Sequence, residues 1–172
     1  MTFSRIILFL LFLSVAFAQP PVSPAATATV TIDGKKLTIA YSAPSMRGRK
    51  IMGGLVPYGQ WWRTGADNAT TFQTNADLVI GSGPGLKVPK GIYTLYTLPG
   101  QSEWQLIVNK QTGQWGTEYN QRQDLGRVKM NLTQTPALVD SFKIELLSTG
   151  GNKGLLKMTW ERTDVSVPFT VQ

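Results

Sequence analysis

Apolar and polar residues alternate along much of the chain with a period of two, which is the period of a half-buried β-strand. The first two such runs, ATVTI and KKLTIAYS, lie on either side of Asp33 and Gly34. An Asp-Gly pair between two alternating runs is the strongest short-range signal for a two-residue hairpin turn. The sequence therefore predicts that the folded domain opens with a β-hairpin.

Further runs of strand character follow, separated by turn residues: TTFQT, DLVIG, LKV, IYTLYTL, EWQLIVN, RVKMNL, SFKIELL, LLKMTWER and VSVPFTV. LKV and IYTLYTL flank Pro89-Lys90-Gly91, and we expect them to form a second hairpin. IYTLYTL carries bulky residues on both faces, which favours a central strand covered on both sides. Pro168 lies inside the last run and predicts an edge or a bulge there, because proline cannot donate to a ladder.

No amphipathic window of a dozen residues with helix caps occurs in the chain. About nine short strands separated by turns indicate an all-β protein, and we expect a single β-sandwich of the jelly-roll or Greek-key type. Two long segments without a period, residues 42–69 and 110–126, interrupt the strands. Their apolar residues favour packed loops over disorder, with one short helical turn expected in the first.

The N-terminal residues resemble a signal peptide. Arg5 precedes an apolar run at residues 6–15, and Ala16-Phe17-Ala18 has the small-x-small pattern of a cleavage site. We therefore expect residues 1–18 to be removed near Ala18 and the protein to be exported to the periplasm or the medium. QPPVSPAAT, residues 19–27, predicts a flexible tether, and residues 28–172 are assigned to the sandwich domain.

The amino-acid composition excludes several kinds of structural and catalytic site. The chain has neither cysteine nor histidine, which removes disulfides, the usual transition-metal sites and the common nucleophilic triads. The net charge of +7 is spread along the chain, with local density only in RGRK (47–50) and GGNKGLLK (150–157). We accordingly predict no nucleic-acid partner, no membrane span, no metal and no cofactor, and leave the oligomeric state open.

The candidate ligand-binding residues combine flat aromatic faces with charged and amide groups, as sugar and peptide sites do. They are Trp62, Arg63, Asp67 and Asn68 in the first loop, and Trp115 and Tyr119 in the second. The same residues also suit an internally bonded plug, in which a tryptophan covers one end of the sandwich and Arg63 pairs with Asp67 or Asp124. Both interpretations remain open from the sequence.

Three functional hypotheses follow. The first is a non-catalytic binding or interaction domain for an envelope glycan or peptide, in which Trp62 stacks on a ring and Arg63 and Asp67 orient it. The second is a glycosidase-like enzyme that uses loop carboxylates, drawn from Asp67, Glu103, Glu118 and Asp124. The third is a purely structural envelope protein with buried tryptophans and a fully paired Arg63. No catalytic residue can be assigned from the sequence.

The segments VPYGQWWRTGADNATTF, VPKGIYTLYTLPG, EWQLIVNKQTGQWG and YNQRQDLGRVKM resemble the exported bacterial proteins grouped as domain of unknown function number twenty-nine eleven. The resemblance covers nearly the whole mature chain. It implies an envelope or secreted β-domain without an established activity, and it gives weight to Arg63, Gly65 and Asn68 as motif positions. Trp61 stands where that pattern leads us to expect an aliphatic residue, so we expect Trp61 to be the buried member of the tryptophan pair.

Overall fold

A computed structural model describes residues 23–172; the predicted signal peptide and the first part of the predicted tether lie outside this range. The described residues contain no α-helix, and none of their helical turns could cross a membrane. The all-β prediction is confirmed. The elements are β1 (Ala25–Ile32), β2 (Lys35–Ser42), β3 (Thr71–Thr74), β4 (Leu78–Ile80), β5 (Leu86–Val88), β6 (Gly91–Leu98), β7 (Trp104–Asn109), a 3-10 turn (Gln121–Gln123), β8 (Asp124–Gly150) and β9 (Lys153–Val171).

The opening hairpin forms as predicted. β1 pairs with β2 in antiparallel register, and Ile32 faces Lys35 across the turn. Asp33 and Gly34 have φ angles of 48° and 73°. Two successive positive φ angles define a type I′ turn, whose twist matches that of the flanking strands. β1 begins at Ala25, inside the segment predicted to be a tether.

The nine strands form one open antiparallel sheet in the order β1-β2-β3-β6-β7-β8-β9-β4-β5. The predicted number of strands is therefore correct, whereas their predicted shortness is wrong for β8 and β9, which have 27 and 19 residues. Each of these strands joins two runs of the sequence pattern, and the β8–β9 pairing continues across register shifts where the alternation lapses. The sandwich arrangement is not confirmed, since the hydrogen bonds link all nine strands into one sheet.

The predicted hairpin between LKV and IYTLYTL is wrong. β5 pairs with β4 at an edge of the sheet, whereas β6 pairs with β3 on one side and β7 on the other. Both edges of β6 are therefore occupied, and Pro89-Lys90 carries the chain between distant parts of the sheet. The hydroxyl of Tyr93 donates to the carbonyl oxygen of Pro89 (2.8 Å), which fixes this corner.

The core is formed by buried side chains of most of the strands, among them β2, β6, β7, β8 and β9, and of the first long loop. β6 is central as predicted, because five consecutive residues, Tyr93 to Thr97, are buried. The second half of β8 lies against β2: the amide of Ile144 donates to the Tyr41 hydroxyl (3.0 Å), and the Tyr41 and Phe142 rings meet edge to face. This packing brings β8 and β9 beneath the first long loop.

The position of Pro168 agrees with the edge or bulge predicted for it. The last β8–β9 pair is Asn131 with Ser166, and the last β4–β9 pair is Ile80 with Phe169. Pro168 is therefore outside both ladders, and its carbonyl oxygen still accepts from the Gly81 amide (2.8 Å). The missing N–H leaves no ladder position unfilled.

Candidate functional site

The first long loop is packed, as predicted, although no helix forms in it. Four of its apolar residues, Met46, Ile51, Met52 and Val56, are buried. The carboxylate of Glu161 on β9 accepts hydrogen bonds from two successive backbone amides of this loop, those of Ile51 (3.1 Å) and Met52 (3.0 Å). These two hydrogen bonds attach the loop to β9.

The segment Trp62 to Thr70 has an unusual backbone. Thr64 and Asp67 have φ angles of 57° and 55°, in the left-handed region that residues other than glycine seldom occupy. Thr64 is fully buried, and its carbonyl oxygen accepts from the Thr70 hydroxyl (2.7 Å). Gly65 has a φ of 151°, and a Cβ there would lie 3.0 Å from the carbonyl oxygen of Ser42. Strain of this kind persists only where surrounding contacts enforce it, and it concentrates at functional sites.

The two long loops meet. The Gly116 amide donates to the carbonyl oxygen of Asp67 (2.9 Å), and the Ala69 amide donates to that of Gln114 (3.3 Å). Trp115 faces Asn68 in an isolated antiparallel bridge. The loops pack so closely that a Cβ on Gly116 would lie 2.6 Å from the Asp67 carbonyl oxygen. One continuous surface therefore carries both loops.

A cleft of about 390 Å³ opens beside this junction. We call it the arginine-tryptophan cleft. Its lining comprises Ser23, Pro44, Ser45, Arg47, Arg49, Leu55, Pro57, Trp61, Trp62, Arg63, Gly65, Ala66, Asp67, Thr117 and Trp160. This volume lies near the lower end of the usual range for small-molecule sites, about 300–1,000 Å³.

The lining of the cleft is positively charged. Arg49 is fixed by two backbone carbonyl oxygens, donating from Nε to Met46 (2.9 Å) and from a terminal nitrogen to Ser45 (2.8 Å). Arg47 and Arg63 take part in no ion pair with residues 23–172. Three guanidinium groups therefore line the cleft together with one carboxylate.

That carboxylate, Asp67, is held in place from several sides. Its Oδ2 accepts a hydrogen bond from the Ser23 amide (3.1 Å), and its backbone carbonyl oxygen accepts from Gly116. The N-terminal end of the described chain and the second loop thus fix one acidic side chain at the cleft. Its second carboxylate oxygen is available to accept from a ligand hydroxyl.

The tryptophan pair is arranged opposite to the expectation from sequence. Trp62 packs against Phe142 (4.9 Å between ring centroids) and stacks on the buried Trp160 (5.7 Å), whereas Trp61 is 39% exposed. The prediction that Trp61 is the buried member is therefore wrong. Trp62 exchanges backbone hydrogen bonds with Thr97 of β6, and this pairing sets which of two successive side chains faces inward.

An aromatic group supports Trp61 from behind. The Tyr119 ring lies 4.9 Å from Trp61 and 4.8 Å from Tyr96 between centroids. The Tyr119 hydroxyl donates to Asp124 Oδ2 (2.8 Å), which also accepts from Arg127 (2.9 Å). Burial and the neighbouring Asp124 carboxylate raise the pKa of Tyr119 to about 12. Asp124 is thus paired with Arg127, and the sequence-based alternative of an Arg63–Asp124 pair is wrong.

Three of the six predicted site residues, Trp62, Arg63 and Asp67, line the cleft. Asn68, Trp115 and Tyr119 do not: Asn68 and Trp115 bridge the loops, and Tyr119 lies behind Trp61. The sequence prediction missed the lining residues Arg47, Arg49 and Trp61. The charge density of RGRK was a usable signal for the two arginines, but nothing local connects that segment with the tryptophans.

Residues 23–169 match the family described as protein of unknown function, DUF2911. The chain belongs to this family. Every residue that lines the cleft falls within the matched range of the DUF2911 domain, as does Gly116. No curated protein and no solved structure matches the chain significantly. The family description carries no activity, so the function of this DUF2911 domain is argued from its cleft.

Proposed function

We propose that the protein is an exported, non-catalytic binding domain that holds an envelope glycan or peptide in the arginine-tryptophan cleft. The observation that carries this proposal is the coincidence of an exposed ring, Trp61, with two guanidinium groups that have no ion-pair partner, Arg47 and Arg63. An exposed aromatic face and guanidinium groups without an ion-pair partner are suited to stacking on a ligand and orienting it.

The site is also pre-organised, which supports binding. Arg49 and Asp67 are each fixed by hydrogen bonds to the backbone, and Trp62 is wedged between the cleft and the core. Side chains that are already ordered lose little entropy when a ligand arrives. The many internal bonds of the first loop, which suit a plug, therefore also suit a rigid ligand-facing wall.

A two-carboxylate glycosidase receives less support. Among residues 23–172, Asp67 is the only acid that lines the arginine-tryptophan cleft, and Glu161 is the only one that lines a second cleft of about 410 Å³. Both oxygens of Glu161 already accept from backbone amides. Glycoside hydrolysis by the usual route needs two carboxyl groups on either side of one bond. Neither cleft supplies them.

A purely structural role also receives less support. That role required both tryptophans to be buried and Arg63 to be fully paired. Trp61 is 39% exposed instead, and the only hydrogen bond that the Arg63 side chain makes with residues 23–172 is a long one, 3.4 Å, to the Gly65 carbonyl oxygen.

The test compares two exposed tryptophans that differ in position. Trp61 (39% exposed) lines the cleft, whereas Trp115 (48% exposed) does not. The mature protein is titrated calorimetrically with a panel of envelope glycans and peptides, because Trp61→Ala would also remove a fluorescent reporter. We expect Trp61→Ala to abolish the response to a binding ligand and Trp115→Ala to preserve it. Equal binding by the wild type and Trp61→Ala would refute this site.

The proposal also includes export of the protein and a finer description of its fold. Export is inferred from the signal-like residues 1–18, with the periplasm or the medium as the destination. The contact of Tyr41 with Ile144 supports a sandwich-like packing, of jelly-roll or Greek-key type, in which the second half of β8 covers β2.

A further inference from the structure

We infer that the ligand of the arginine-tryptophan cleft is an acidic saccharide, one that carries a carboxylate on a sugar ring as a uronic acid does. This inference rests on the proposed function and narrows its ligand class. It is drawn from the charge of the cleft, the position of its aromatic rings and the backbone elements that line it.

The charge of the cleft favours an anion. Arg47, Arg49 and Arg63 line a space that holds the single carboxylate of Asp67. Arg49 donates two hydrogen bonds to backbone carbonyl oxygens, and Arg63 donates one long hydrogen bond to a third. Arg47 donates none to an acidic side chain of residues 23–172. Planar guanidinium groups bind carboxylates with paired hydrogen bonds. A neutral ligand would not form such paired hydrogen bonds between carboxylate and guanidinium.

The aromatic residues indicate a ring. Trp61 presents an exposed indole, and Tyr96 and Tyr119 hold it from behind with ring centroids 5.6 Å and 4.9 Å away. A flat apolar face fixed in this way suits the apolar face of a sugar ring. Asp67 supplies an acceptor for ring hydroxyls next to the arginines. The cleft therefore combines one surface for stacking, one acceptor and several cationic donors.

The lining disfavours an extended acidic peptide. Peptides commonly bind to sheets by adding a strand to a free edge, where backbone groups supply the hydrogen bonds. Of the residues that line the cleft, only the buried Trp160 belongs to one of the nine strands. In the part of the chain that the structure describes, β1 and β5 are the outer strands of the sheet, and neither contributes a residue to the lining. Recognition here depends on side chains, as it does for a saccharide.

Calorimetric titration of the mature protein with three probes tests the inference: a uronic acid trisaccharide, the neutral hexose trisaccharide of the same linkage, and triglutamate. We expect the uronic acid probe to bind most tightly and to weaken as NaCl is raised. Arg47→Gln and Arg63→Gln should each weaken it about tenfold or more. Arg162→Gln is the matched control, since Arg162 is an exposed arginine of the second cleft. Circular dichroism confirms that each variant is folded.

Each other outcome overturns the inference in a different way. Equal affinity for the neutral probe, or unchanged binding by both cleft variants, excludes recognition of the carboxylate but leaves a binding domain. Preference for triglutamate replaces the saccharide with an acidic peptide. If none of the three probes binds, the inference fails. The proposed function is then decided separately, by the wider ligand panel and the Trp61→Ala comparison.

Discussion

The amide of Gly116 donates a hydrogen bond of 2.9 Å to the carbonyl oxygen of Asp67. Asp67 has a left-handed backbone, with a φ of 55°, and its carboxylate accepts from Ser23. A residue of the second loop thus helps to hold Asp67, the one acid among residues 23–172 that lines the arginine-tryptophan cleft, in a sparsely populated backbone conformation. The shape of the cleft depends on how closely the two loops approach at Gly116.

Gly116→Ala should separate the loops. The added Cβ would lie 2.6 Å from the Asp67 carbonyl oxygen and 2.7 Å from Arg63 Cδ, and the backbone oxygen cannot move aside as a flexible side chain can. We expect the free energy of unfolding to fall by about 1–3 kcal/mol, the usual cost of overpacking. Urea denaturation measures it, and ligand affinity should fall as well.

Gly113→Ala is the control in the same loop. A Cβ at Gly113 meets no atom within 4 Å, although its φ of 79° makes alanine strained. We expect a loss of about 1 kcal/mol from the backbone alone, without a change in ligand affinity. If Gly116→Ala has the stability and affinity of the wild type, the loops are not in contact at this residue.

Alanine substitutions at the two adjacent tryptophans should have unequal costs. Trp62 packs on Phe142 and Trp160, so Trp62→Ala opens a cavity and should reduce the free energy of unfolding by about 3 kcal/mol. Trp61→Ala removes a 39% exposed ring and should cost about 1 kcal/mol. Urea denaturation of both variants gives the comparison. The reverse order would restore the sequence-based expectation that Trp61 is the buried member.

Tyr119 should make stability depend on pH in the alkaline range. Burial, followed by the Asp124 carboxylate, raises its pKa from 10 to about 12. Because the folded-state pKa is raised, the stabilisation is fully present below the unfolded pKa of 10 and is lost as the pH rises towards 12. Unfolding by urea at several alkaline pH values should show this decline.

Two variants assign the alkaline effect. Tyr119→Phe should remove its contribution to the decline, because the titrating hydroxyl is gone. Asp124→Asn should lower the pKa of Tyr119 only in part, since burial remains the larger cause. Ultraviolet difference spectra report tyrosinate directly. Ionisation of Tyr119 at the ordinary tyrosine pKa in the wild type would contradict the buried hydrogen-bonded geometry.

Strand pairing could be predicted where it is local and not elsewhere. The Asp33-Gly34 turn fixes its hairpin because both residues adopt positive φ angles. LKV has only three residues, and its alternation suits any neighbouring strand equally well. The choice between β4 and β6 as its partner was decided by β3 and β7, which occupy both edges of β6. Such competition between distant segments has no signature within one run.

The sequence predicted the kinds of side chain that line the cleft, but not all of the residues that supply them. The aromatic and polar residues of WWRTGADN identified the region, and four of them, Trp61, Trp62, Arg63 and Asp67, line the cleft. Which of Trp61 and Trp62 faces the core depends on pairing with Thr97, a residue of another strand. Arg47 joins the cleft through the path of a loop without a period. Both features arise from tertiary contacts that a hydrophobic pattern does not encode.

Glu161 should stabilise the fold by anchoring the first loop to β9. Its two carboxylate oxygens accept from the amides of Ile51 and Met52, and its φ of 56° aims the side chain at them. In Glu161→Gln the negative charge is lost, and an amide nitrogen that cannot accept faces one of these donors. Breaking hydrogen bonds to a charged group should cost about 1.5–3 kcal/mol in urea denaturation.

Glu145→Gln is the matched control for this change. Glu145 pairs with Lys143 at 2.7 Å on an exposed part of β8, and exposed pairs of this kind are worth about 0–1 kcal/mol. The two variants alter the net charge equally, so a larger loss in Glu161→Gln isolates the two amide contacts. Equal losses would mean that the contacts of Glu161 with Ile51 and Met52 add no stability of their own, and that they do not orient the loop that carries Arg47 and Trp61.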